Sequence, residues 1–241
     1  IEQRYQQCGA ASLAMVLSRW QGHADIVDIN QAIYTPDKAG TLAIDITVKA
    51  RREGYVVFTL EKNISTIIQE VDAGNPVIVM ENLGLSWLAQ WHFSVVVGYN
   101  LDDRTLTLYS GADTPRKVSI NTFAKTWERA ESWAIAIMPG GRIPKTAKPL
   151  LYLNAVVATH KLHPESAKLS YMAALTQWEK DPDTEAVARI GLFEIAYARK
   201  EYEAAKYWLV HGTGLVSAVH WNNLAFSLAG LNCNDEALKA V

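Results

Sequence analysis

Apolar residues recur at helical spacing near the start of the chain: Leu13, Val16, Leu17 and Trp20 share one face, and Gly22 follows as a stop. The spacing predicts a helix over 8–20 with Cys8 in or just before its first turn. A second helix is expected over 27–34, ended by Thr35-Pro36, and a third in "GTLAIDITVKARREGY", with Thr41 as N-cap and Gly54 just past its end. The pattern then changes. "YVVFTL" is β-branched and aromatic and reads as a strand, "NISTIIQEVDAGN" as a helix capped by Asn63, and "PVIVMEN" as a buried strand. "WHFSVVVGYN" and "RTLTLYSG" predict two strands joined by a turn at 101–104. A helix over 120–129 and the strand "SWAIAIMP" complete a series of helices followed by a mainly antiparallel sheet, an α+β domain over 1–138.

In "PGGRIPKTAKP", residues 139–149, apolar periodicity stops and Pro, Gly and Lys dominate, which marks a linker. Every long segment from 150 to 241 reads as helix. A self-comparison at an offset of 33 pairs Phe193 with Phe226, Ala196 with Ala229, Glu203 with Glu236 and Ala204 with Ala237. A period in the low thirties, with small residues where paired helices cross, resembles tetratricopeptide repeats and predicts an all-α repeat domain. "ESAKLSYMAALTQWEKDP" fits the second helix of an earlier, looser copy that ends at Asp181-Pro182. The pattern reaches Val241 inside a helix without a cap. Further repeats beyond it, or cover of one end by the first domain, are expected.

Composition narrows the function. A net charge of -2 gives no support to nucleic-acid binding, which draws its affinity from a basic surface. Cys8 and Cys233 stand far apart and read as two unrelated thiols. No run approaches the roughly 20 apolar residues of a membrane helix. The chain begins at Ile1 rather than Met, which predicts a processed or trimmed terminus; membrane association is expected only through an N-terminal anchor lost ahead of it.

Cysteine attacks as its thiolate, so a reactive one needs a helix N-terminus or a nearby imidazole. Cys8 meets the first condition. An acyl-transfer site also needs a base and an oxyanion donor. His92, the histidine that opens the strand "HFSVVVGYN", is the best base, and Gln3, five residues before Cys8, the best side-chain donor.

"QRYQQCGAASLAMVL", followed at a suitable interval by "HFSVVVGY", strongly resembles the papain-like cysteine peptidases that process bacteriocin leaders at double-glycine sites. The resemblance spans about 1–138 and includes the order of elements. It implies Cys8 as nucleophile, His92 as general base and imidazolium partner, and Gln3 with the Cys8 backbone N–H as oxyanion donors. In many relatives the glutamine precedes the cysteine by six residues, a position held here by Glu2, so Gln3 assumes a one-residue shortening. The family also places an Asp or Asn, in a "D-P" pair, on the strand after the histidine. Here that position is Ser110-Gly111, so the third member is Ser110, with Asp113 as the alternative.

The function expected is a thiol peptidase acting on a peptide or protein substrate, with the repeats recruiting substrate or a protein partner. Two alternatives stand beside it: an acyltransferase using the same pair, and a degenerate peptidase-like domain that binds peptides as a scaffold. No cofactor is implied. "HKLH", with His160 and His163, has no further metal ligands nearby. The absence of a "GxxxxGK" loop means that any coupling to export would act in trans. The resemblance places the protein in the periplasm or envelope of a Gram-negative bacterium. The loop "NLGLSWLAQW" ahead of His92, with Leu85, Trp87 and Trp91, could line a substrate cleft, form a lid or pack on the sheet.

Overall fold

The computed structural model describes residues 7–38, 40–85, 87–110, 114–211 and 218–240. The chain forms two compact units, one of residues 1–139 and 144–147, the other of 140–143 and 148–241.

In the first unit, helix α1 (Cys8–Gln21) buries Leu13, Val16 and Leu17 and ends at Gly22, whose φ of 85° only glycine adopts freely and whose N–H bonds Ser18 O. Helix α2 (Ile26–Ile33) is capped by Asp25, which accepts from Val27 N at 2.7 Å. Helix α3 (Ala43–Arg52) starts later than its sequence suggests. Thr41, expected as its cap, lies instead in strand β2 (Gly40–Thr41), paired with β1 (Tyr34–Thr35). That pairing holds Thr41 extended, so the cap position passes to Leu42, whose N–H is taken by the Asp45 carboxylate at 3.4 Å.

The main sheet contains β3 (Val56–Thr59), β4 (Val77–Asn82), β5 (Trp91–Asn100), β6 (Thr105–Tyr109), β7 (Arg116–Ser119) and β8 (Ala134–Met138). Their order is β3-β8-β4-β5-β6-β7, and all pairs are antiparallel. Helix α4 (Ile64–Asp72) joins β3 to β4, and α5 (Ile120–Glu128) joins β7 to β8. Strand β7 was not expected, because "RKVS" offers one apolar residue and no alternation to read.

Alternation along the strands divides the sheet between two faces. Ile78, Phe93, Val95, Ile135 and Ile137 turn toward α1, α2 and α3 and share one core with Leu13, Val16, Leu17, Ile29 and Ile46. The opposite face carries Glu81, and α5 lies over it, with Thr126 Oγ1 donating to Glu81 Oε1 at 2.9 Å.

The stretch expected as a linker is shared between the units. Residues 144–147 dock on the first unit through Glu70, a fully buried carboxylate of α4. Its oxygens accept from Lys145 N at 3.0 Å, Thr146 N at 2.7 Å, Thr146 Oγ1 at 2.6 Å and Asn75 Nδ2 at 2.7 Å.

The second unit is helical: α6 (Pro149–His160), α7 (Pro164–Gln177), α8 (Pro182–Ala198), α9 (Tyr202–Val210), α10 (Ala218–Gly230) and α11 (Asn234–Ala240), each packed on the next. Prolines open α6, α7 and α8, where the missing N–H costs nothing. Between the helix pairs α8–α9 and α10–α11, buried positions correspond at an offset of 32 residues, one fewer than the 33 suggested by residue identity. Helix α9 opens at Tyr202 and α11 at Asn234, 32 positions on. At that offset Leu192, Phe193, Ala196 and Ala205, all buried, fall on Leu224, Ala225, Leu228 and Ala237, also buried. At 33, buried Phe193 would fall on Phe226, which is 52% exposed.

Candidate active site

Cys8 is the first residue of α1, where the backbone N–H groups of the opening turn have no helical partner. Its thiol is half-buried and packs against the core that α1 shares with the sheet. The next residue, Gly9, is required by space: a Cβ there would stand 2.8 Å from Thr41 Cβ. The β1–β2 ribbon therefore supports the helix start that carries Cys8.

His92 is the second residue of β5, one position from the end of its pairing with β4, and lies directly opposite Glu81. Opposite residues share a face, so the imidazole leaves the strand on the Glu81 side. Glu81 is completely buried. Its Oε2 is held by Arg116 Nη2 at 2.6 Å and by the Ser94 hydroxyl at 3.4 Å, and its Oε1 by Thr126. Strands β4 and β7 are three spacings apart, about 14 Å in a flat sheet. A direct contact between their side chains means that the sheet curls toward this face, with the Glu81–Arg116 pair closing it near His92.

Burial lowers the His92 pKa from its usual value, Glu81 opposes that by favouring the imidazolium, and Arg116 adds to the lowering. Among the described residues no hydrogen bond joins His92 to Cys8 or to Glu81. Continuing the Val95↔Tyr109 register by one step puts Ser110, half-buried, level with Ser94 on the His92 side of the sheet. Gln3 and Asp113 lie outside the described residues.

The loop before His92 has a built shape. Asn82 Oδ1 accepts from Gly84 N at 3.0 Å and Gln90 N at 2.9 Å, Leu85 pairs with Leu88, and Arg129 Nη1 donates to Gly84 O at 2.8 Å. Its Leu85, Trp87, Leu88 and Trp91 side chains face solvent rather than the sheet, Trp87 at 78% exposure. A separate open cavity of about 630 Å³ runs along α1 between Met15 and Arg19 and is walled by Val71, Pro76, Val95 and Tyr109. Neither Cys8 nor His92 lines it.

Sequence reading did not single out Glu81, Arg116 or Thr126. A glutamate inside the apolar run "PVIVMEN" was the available signal, since hairpin pairing sets it opposite His92. In the helical unit, His160 Nδ1 lies 3.3 Å from Tyr171 Oη and 3.7 Å from Glu194. Among the described residues no cluster of ligands could hold a metal ion.

A cysteine at a helix start, a histidine next to a strand end and an antiparallel sheet between helical layers make the first unit an α+β domain. The chain belongs to the Peptidase_C39 like family, which matches residues 1–135. No curated protein matches it. Among solved structures, the chain is similar to the peptidase domain of Streptococcus ComA, a bi-functional ABC transporter involved in a quorum-sensing pathway. That match is 20% identical, covers 57% of this chain and 95% of that one, and has a TM-score of 0.46. A protein assigned as a C39-like peptidase from Bacillus anthracis is 19% identical, with 58% and 90% covered and a TM-score of 0.49.

Proposed function

We propose that the first unit is a thiol peptidase in which Cys8 and His92 form the reacting pair. The observation that carries this reading is the family match over 1–135, joined to Cys8 at the first position of α1. An imidazole has a nitrogen on each edge. His92 leaves β5 on the Glu81 side, whereas α1 packs on the other face of the sheet, so the reaction requires the ring to reach the Cys8 thiol around the end of the strand. Cys8 Sγ attacks the peptide carbonyl, its proton passing to His92; His92 returns that proton to the leaving amine, and water, activated by His92, releases the acyl group from sulfur. The Cys8 N–H and Gln3 stabilise the oxyanion in this scheme, and Ser110 orients the ring.

The helical unit acts as the recruiting surface for a substrate or partner protein. Its 32-residue burial register supports a repeat of the tetratricopeptide kind. The second reading, a peptide-binding domain without turnover, is favoured by a serine, Ser110, at the position where the resemblance to the family calls for a carboxylate that would stabilise the imidazolium. Incubation of the full chain with a proteome-derived peptide library, with new termini read by mass spectrometry, separates the two. Cleavage that disappears in Cys8→Ala and His92→Ala supports the peptidase. Peptide retention without new termini supports the binding domain.

A further inference from the structure

Glu81 is a fully buried charge that the proposed reaction does not use. A carboxylate in that position is costly unless it is paired and hydrogen-bonded. Here it is both, through Arg116, Thr126 and Ser94. Closing the sheet does not by itself call for ions, since an apolar pair of similar volume is often as good or better in such a place. Its register opposite His92 is the feature that packing leaves unexplained.

We infer that Glu81 is a positioning carboxylate for His92, favouring its protonated form from the opposite strand in place of the acid absent at Ser110, with Arg116 limiting that effect. This rests on the reading of His92 as the acid and base of the thiol reaction. Glu81 works through charge: its oxygens are engaged by Arg116, Ser94 and Thr126, and none of these bonds goes to the imidazole. Glu81 of β4 lies directly opposite His92, and its carboxylate is engaged by Arg116 of β7 and by the neutral hydroxyls of Ser94 on β5 and Thr126 on α5; the titratable groups of α1, Cys8 and Arg19, belong to the helix packed on the other face of the sheet. Among the described residues, Glu81 and Arg116 supply the charges that act on His92, in opposite directions. Arg116 is 39% exposed, so water keeps access to the pair from its β7 side.

The test is an NMR titration of the histidine ring carbons in the full chain, in a Cys8→Ala background that removes the thiol. The chain has six histidines; the His92 signal is the one lost in His92→Gln. Glu81→Gln, which keeps the shape and a hydrogen-bonding group, is expected to lower the His92 pKa by about half a unit, and Arg116→Gln to raise it by about as much. Thr126→Val, which removes a neutral partner of the same carboxylate, leaves it nearly in place. A purely structural pair predicts no such opposition, because loosening the site gives both charge variants the same sign. Shifts of one sign, or none, overturn the assignment. If Glu81→Gln does not fold, an upward shift in Arg116→Gln supports the assignment, and no shift or a downward one refutes it. An unreactive Cys8, found by its own assay, defeats the thiol reading without altering these titrations.

Discussion

At the scale of single residues, His92 is the group whose environment is most informative. Burial holds its pKa down, so the folded chain binds its proton less readily than the unfolded chain. The sign follows from linkage: stability is full above the unfolded value of about 6.5 and declines as pH falls through it toward the lower folded value. His160, also lowered mainly by burial, acts in the same direction. Thermal melts between pH 7.5 and pH 5 are therefore expected to show a smaller acid-side decline in His92→Gln than in the parent. An unchanged decline would mean that His92 is as accessible to protons folded as unfolded. The places of the cysteine and the histidine could be read from the sequence because Cys8 opens α1 and His92 stands second in β5, both elements with a distinctive pattern. Glu81 was not, because a carboxylate in a strand declares its burial only when a distant strand, β7, and a helix, α5, close over it.

At the scale of elements, two contacts decide how the site is held. The first is Gly9 against Thr41: Gly9→Ala forces a methyl group into the β1–β2 ribbon and is expected to cost about 1–3 kcal/mol in urea unfolding, with loss of thiol reactivity at Cys8. Unchanged stability would show that the ribbon does not press on α1. The second is Glu70 with residues 144–147. Glu70→Ala leaves the N–H groups of Lys145 and Thr146 and the Asn75 amide without their carboxylate, a loss on the order of 3 kcal/mol. Limited proteolysis should then cut near residue 145, and a segment that stays resistant would refute its anchoring. Most helices and strands could be read from periodicity, with caps such as Asn63 found where expected. The misread elements were those whose conformation comes from a partner: Thr41 is extended because Tyr34 pairs with it, and polar β7 is a strand because β6 is beside it.

At the scale of the whole molecule, the chain joins a Peptidase_C39 like unit to a helical one, and the division falls inside the Pro-Gly-Lys stretch rather than on either side of it. The helix pairs α8–α9 and α10–α11 show the limit of matching letters. Identity favoured an offset of 33, whereas the buried positions agree at 32, because packing conserves which residues face inward rather than which amino acids they are. Gly191 tests the integrity of that unit, since a Cβ there would lie 2.4 Å from the Tyr171 ring. Gly191→Ala is expected to lower the melting of the helical unit while leaving thiol reactivity in the first unit intact, and parallel loss of both would show that the units do not fold independently. The central claim is that Cys8 and His92 form a working pair, and it is tested most directly by iodoacetamide labelling at neutral pH, with the rates at Cys8 and Cys233 followed by mass spectrometry in the parent and in His92→Ala. The account predicts labelling at Cys8 about tenfold or more faster than at Cys233, falling to the Cys233 rate when His92 is removed; equal rates at the two thiols, or a fast Cys8 indifferent to His92, would contradict it.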